Sequence, residues 1–167
     1  MRKRAIRVNT LKIDVETIVE NLEKKGYKLE KLPFCNYGFF IEENEKNVAY
    51  EIEHLLGYIF IQDASSMLIP IILNPEKEDL ILDLCAAPGA KTTQIAQIME
   101  NNGCIVANDI NKNRIASLCF NLQRCGVLNT IVTMIDGVKF LKKCELKFDK
   151  ILLDVPCSGT GAVSYTH

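Results

Sequence analysis

The sequence predicts an α/β protein built on a parallel sheet, with a small α/β unit ahead of it. Three observations carry this. From Leu80 onward, short apolar runs alternate with helix-length segments, the grammar of βαβ units. Each of these runs ends in a carboxylate or a turn residue. Nearly half of the 167 residues are hydrophobic, enough for a real core.

In chain order, AIRVNTLKI reads as a strand and turn. DVETIVENLEKKGY follows as a helix, with Val15, Ile18, Val19 and Leu22 at helical spacing and Gly26 as its stop. YKLEKL and GFFIEE are short strands bounded by Pro33 and by Asn36-Tyr37-Gly38. These form the first unit, residues 1–57, and a second unit occupies 58–167. A short strand to Gln62 opens the second unit, then a helix started by Asp63, Ser65 or Ser66. LILDLC, CIVAND, NTIVTMID and FDKILLD are four strands. TTQIAQIME, NRIASLCFNLQRCG and GVKFLKKC are the helices between them, with Gly126 closing the second. The stripe Ile115, Leu118, Cys119 and Leu122 is expected to pack on the sheet.

The net charge of −1 gives no global basic field, so any nucleic acid must be held locally. Seven cysteines, an odd number with no C-x-x-C spacing, argue for free thiols in a reducing, cytosolic compartment rather than a zinc site. No apolar stretch approaches the roughly 20 residues of a membrane span. The expectation is a soluble monomer without a metal.

Ligands of open parallel sheets bind beyond the carboxyl ends of the strands. Four acids stand at those ends: Asp83, Asp109, Asp136 and Asp154. One such aspartate is ordinarily a cap or turn former, but four at one edge favour a ligand. The first turn, Cys85-Ala86-Ala87-Pro88-Gly89-Ala90-Lys91, lets backbone approach a ligand closely. It is not G-x-G-x-x-G, which disfavours nicotinamide or flavin cofactors. Asp109 is placed to accept from a ribose diol, and Asp136 to reach an adenine amino group. A ribose and adenine without a pyrophosphate cradle point to S-adenosylmethionine.

LDLCAAPGAKTTQIA, VANDINKNRIASL, NLQRCGVLNTIV and FDKILLDVPCSGTG closely resemble the RNA cytosine-5 methyltransferases of the Sun/RsmB and nucleolar Nop type. RVNTLKI and GYIFIQDASSMLIP are similar to the same family's entry strand and the segment before its catalytic domain. The resemblance implies a Rossmann-type methyltransferase fold, of which these would be the first four strands of a seven-stranded sheet. It implies S-adenosylmethionine as cofactor and tRNA or rRNA as partner, in the cytoplasm or, in a eukaryote, the nucleolus. Cys85, Ala86, Ala87, Pro88, Gly89, Ala90 and Lys91 would surround the methionine and ribose part of the cofactor. Asp109 would hold the ribose, Asp136 the adenine side, and Arg114 would belong to the same cofactor set. Asp154 would stand near the cofactor's amino group and the target base. Ala90 departs from the glycine common in the family.

Cys157 has two readings. A thiolate adding to carbon 6 of cytosine activates carbon 5 toward a methyl donor, and Cys157 is the obvious thiol. In the family it resembles, a cysteine in a later Thr-Cys motif attacks and the Pro-Cys thiol assists release. No Thr-Cys pair occurs in these 167 residues. The chain is therefore expected to be truncated after the Pro-Cys motif and inactive alone, with Ser164 to His167 foreign to the family pattern. Two other classes stand beside this reading: a non-catalytic RNA-binding piece, and another nucleotide-cofactor enzyme.

Overall fold

The computed structural model describes residues 4–42 and 47–155. Its first sheet is antiparallel, in the order β2-β3-β1-β4, from β1 (Arg4–Val8), β2 (Lys28–Lys31), β3 (Gly38–Glu42) and β4 (Ile59–Ile61). Alternation along the central strand sends its side chains to two different places. Ile6 and Val8 join Phe39, Ile41 and Ile59 under α1 (Val15–Lys24), against Ile18 and Leu22. Ala5 packs with Leu32, Cys35 and Met67 instead. Arg7, two residues along from Ala5, is buried as well. Asp14 caps α1, accepting from the Thr17 amide at 2.8 Å.

A 3₁₀ turn at Val48–Tyr50 and the short α2 (Ile52–Leu55) lead into β4. β4 pairs with β1, Ile6 opposite Ile61, so the first sheet runs past the boundary expected at residue 57. Gln62 does not cap the next helix, α3 (Ala64–Leu73); its amide donates to Gln94 Oε1 at 3.0 Å.

The second sheet is parallel, in the order β7-β6-β5-β8, from β5 (Leu80–Asp83), β6 (Cys104–Asn108), β7 (Thr130–Thr133) and β8 (Lys150–Leu152). Leu82 lies opposite Val106 and Ile151, which brings the carboxyl ends of β5, β6 and β8 to one edge. The helices between them are α4 (Ala90–Ile98), α5 (Lys112–Cys125) and α6 (Gly137–Lys143). Gly126 closes α5 in the left-handed region, as its position predicts. Ile115, Leu118 and Leu122 face the sheet, but Cys119 is exposed. Cys125, at the end of the helix, is buried.

α4 is unusual in its surroundings. Thr92, Thr93, Gln94 and Gln97 are all buried, because the helix lies between the parallel sheet and α3, with Arg7 and Tyr37 of the first unit reaching it as well. The seam there is polar: Gln94 donates to the Met67 carbonyl at 2.8 Å. Asn9 holds another part of the seam, donating to the carbonyls of Gly57 and Cys125, each at 2.8 Å. Among the described residues no helix is long and apolar enough to cross a membrane, and no group of three or more acidic, cysteine or histidine side chains is arranged to hold a metal.

Candidate functional site

At the carboxyl end of β5 the chain turns sharply from Asp83 into α4, and the loop is tied down along its length. The Ala86 amide donates to the Asn108 carbonyl at 2.8 Å, and the Gly89 amide to the Ala86 carbonyl at 2.7 Å. Asn108 also reaches the Leu84 carbonyl at 3.2 Å. Gly89 has φ of +102°, and a Cβ there would stand 2.9 Å from Leu118 Cδ1. Only glycine meets both demands, which is why one stands between this loop and its helix.

The loop walls a cleft of about 260 Å³. Cys85, Ala86, Ala87, Pro88, Ala90, Lys91, Arg114 and Asp154 line it, together with Asp83 and Val155. Eight of the expected residues are thus brought together. Gly89 turns toward α5 instead. Asp109 and Asp136 are at the ends of β6 and β7 but are not in the lining.

The Asp109 carboxylate braces the loop from behind. It accepts from the Ala87 amide at 3.2 Å and the Asn111 amide at 2.9 Å, and Arg114 stands 3.4 Å away. Arg114 also donates to the Ala87 carbonyl. Asp136 caps α6, accepting from the Lys139 amide at 3.0 Å. Cys157, with the rest of Pro156–Gly161, lies outside the described residues.

Asp83 is the residue whose importance the sequence hides. Its place among the strand-end acids is visible there, but its burial is not. It is 1% exposed, and no salt bridge to it is found among the described residues. The Thr92 hydroxyl donates to it at 2.7 Å. Burial pushes its pKa up to about 6, against the opposing pull of the Thr92 hydrogen bond and the Lys91 charge. A buried acid with one hydroxyl partner, facing a cleft, is the group expected to receive a cationic ligand.

Lys91 and Asp154 meet across the cleft mouth at 2.5 Å, with Asp154 about half exposed. The Cys85 thiol is pushed above its usual range, first by burial and then by Asp109 and Asp83. It is a neutral wall of the cleft and not a poised nucleophile. A narrow loop of main chain, a buried carboxylate and an arginine suit a small zwitterion carrying a nucleoside. The chemistry of this donor set therefore fits S-adenosylmethionine.

Known proteins share this chain's sequence and fold. Residues 70–167 match the family profile described as 16S rRNA methyltransferase RsmB/F. Residues 1–64 match that of the N-terminal domain of 16S rRNA methyltransferase RsmF. The chain is 47% identical to a ribosomal RNA small subunit methyltransferase F of Vibrio campbellii, covering 96% of this chain and 34% of that protein. It is also 47% identical to a tRNA (cytosine(49)-C(5))-methyltransferase of Pyrococcus abyssi, covering 95% of this chain and 51% of the relative. Among solved structures, NSun6 from Pyrococcus horikoshii with SFG superposes with a TM-score of 0.86 at 26% identity, over 93% of this chain and 63% of that one. The chain thus spans a third to a half of the length of these curated relatives. With a Rossmann-like parallel sheet, a small N-terminal unit and a profile match over most of its length, the chain belongs to the 16S rRNA methyltransferase RsmB/F family.

Proposed function

We propose that the cleft binds S-adenosylmethionine and that the protein transfers its methyl group to carbon 5 of a cytosine in rRNA or tRNA. The observation that carries the reading is the buried Asp83 carboxylate facing a cleft walled by Cys85–Lys91. Support also comes from the relative solved with SFG, the cofactor analogue sinefungin, and from relatives named for rRNA and tRNA substrates.

Bound there, S-adenosylmethionine supplies an electrophilic methyl group on a sulfonium. In this reading Asp83 receives the ligand's ammonium group, and the main chain of Ala86 and Ala87 lies along its methionine and ribose part. Asp109 serves the ribose: a carboxylate offers about four lone-pair directions, and the Ala87 and Asn111 amides take two. Asp136 serves the adenine side and Arg114 holds the Ala87 turn. Asp154 and Lys91 face the target base from the cleft mouth, where the base must be flipped out or single-stranded.

The covalent step needs a thiolate to add to carbon 6 of the cytosine, so that carbon 5 takes the methyl group from the sulfonium; the carbon-5 proton then goes to a base and the thiolate leaves carbon 6. We assign the attack to a Thr-Cys cysteine of a longer protein and the release step to Cys157. The four parallel strands are then part of a seven-stranded sheet.

The test is nucleoside mass spectrometry of RNA incubated with the full-length protein and S-adenosylmethionine. The reading expects 5-methylcytidine; unmodified cytidine, or a methyl group at another position, sinks it. A full-length Cys157→Ala variant should accumulate covalent protein–RNA adducts. A variant with neither product nor adduct returns the attack to Cys157.

A further inference from the structure

The loop that walls the cleft is also held on its outer side, by the N-terminal unit. The Pro88 carbonyl accepts from Asn121 Nδ2 at 2.9 Å, and Asn121 Oδ1 accepts from Arg124 at 3.2 Å. Arg124 in turn donates to the carbonyls of His54 and Ile59 in the first unit. A second path starts at Arg7 on β1. Its Nη2 donates to the Thr93 hydroxyl at 2.7 Å, and that hydroxyl donates to the Ala90 carbonyl at 3.1 Å. Both guanidiniums stand over the Phe60 ring, at 5.4 Å and 5.3 Å from its centroid. The two routes start from neighbouring strands of the first sheet and end on Pro88 and Ala90, either side of Gly89.

Stability alone does not account for Arg7. It is entirely buried, and among the described residues its Nε and Nη1 find no hydrogen-bond partner. Burial lowers its pKa only to about 10, so it stays charged at neutral pH. A buried cation without an anion partner costs stability, and an apolar side chain of similar length would fill the space more favourably. A cation that weakens the fold but grips the helix start behind the cleft makes sense as a positioning group.

We infer that Arg7 and Arg124, gathered on Phe60, are positioning residues that fix the cofactor loop from behind, so that the N-terminal unit sets the affinity of the cleft. This rests on the reading that the cleft takes S-adenosylmethionine. Asn121 and Thr93 are the last links of the two routes. Neither lines the cleft.

The experiment pairs calorimetric titration of S-adenosylhomocysteine with the melting temperature of the ligand-free chain, for wild type, Asn121→Ala and Arg7→Met. Asn121 is half-buried, so its alanine variant should melt within about 2 °C of wild type. It should bind about 3- to 10-fold more weakly, the effect of one hydrogen bond. Arg7→Met should melt at or above the wild-type temperature and still bind at least about 10-fold more weakly. Variants that melt earlier yet bind with wild-type affinity would make these residues structural only and overturn the inference. If Arg7→Met does not fold, unchanged affinity in Asn121→Ala still overturns it. A folded wild type that binds nothing removes the cofactor reading, and this inference with it.

Discussion

Replacing Asp83 by asparagine should stabilise the protein at neutral pH and leave it unchanged in acid. The folded protein holds the Asp83 proton up to a pKa of about 6, whereas an ordinary aspartate gives it up near 3.8. The difference, about 2.2 units at 1.36 kcal/mol each, is about 3 kcal/mol. The sign follows from which state keeps the proton. Between pH 3.8 and 6 the unfolded chain has lost it and the folded chain has not. The contribution is therefore fully present below the lower value and is lost as pH rises through the upper one. Asparagine does not titrate, and its carbonyl can still accept from the Thr92 hydroxyl. Urea unfolding of both proteins at pH 4, 5, 6 and 7.5 reads the effect. The variant should match wild type near pH 4 and exceed it by up to about 3 kcal/mol at pH 7.5. A difference that does not change with pH, or an asparagine variant weaker than wild type at pH 7.5, would refute the reasoning.

Three further outcomes follow from the seam and the cleft mouth. A Cβ on Gly57 would stand 2.1 Å from the Arg124 carbonyl oxygen at a φ of +73°. Gly57→Ala should therefore cost about 2–4 kcal/mol in urea unfolding. Asn9→Ala leaves the Gly57 and Cys125 carbonyls without their side-chain donor, and should cost about 2–3 kcal/mol by the same measurement. Lys91→Met breaks the pair with the half-exposed Asp154. It should change stability by less than about 1 kcal/mol, while lowering RNA methylation by the full-length protein.

The parallel half of the fold was legible because its signals are local. Each apolar run from Leu80 is short, ends in a polar turn, and is followed by a helix with its own cap or stop, such as Gly126. Parallel strands then bring their ends to one edge, so the loop Cys85–Lys91 and Asp154 could be placed together from sequence alone. What depends on distant contacts was not legible. β4 adjoins α3 in sequence, yet its partner is β1, more than fifty residues away. Thr92, Thr93, Gln94 and Gln97 look like a solvated helix face, and only tertiary partners distant in sequence, among them Arg7, Tyr37 and Met67, show why that face is buried. Arg7 alternates correctly within its strand but points into a seam that one strand cannot reveal. Cys119 stands at helical spacing from Ile115 and Leu122, yet it is exposed where its neighbour Leu118 is buried. Asp109 and Asp136 were placed at the right strand ends. Their first hydrogen bonds, to neighbouring amides, are local details that residue spacing does not fix.

The central claim is that the cleft at Asp83 is the cofactor site, and calorimetric titration of S-adenosylmethionine at pH 7.5 tests it most directly. The wild-type chain should bind one equivalent. Asp83→Asn should bind at least about 10-fold more weakly although it is the more stable protein. A folded wild type without binding, or an Asp83→Asn variant with unchanged affinity, would contradict the account.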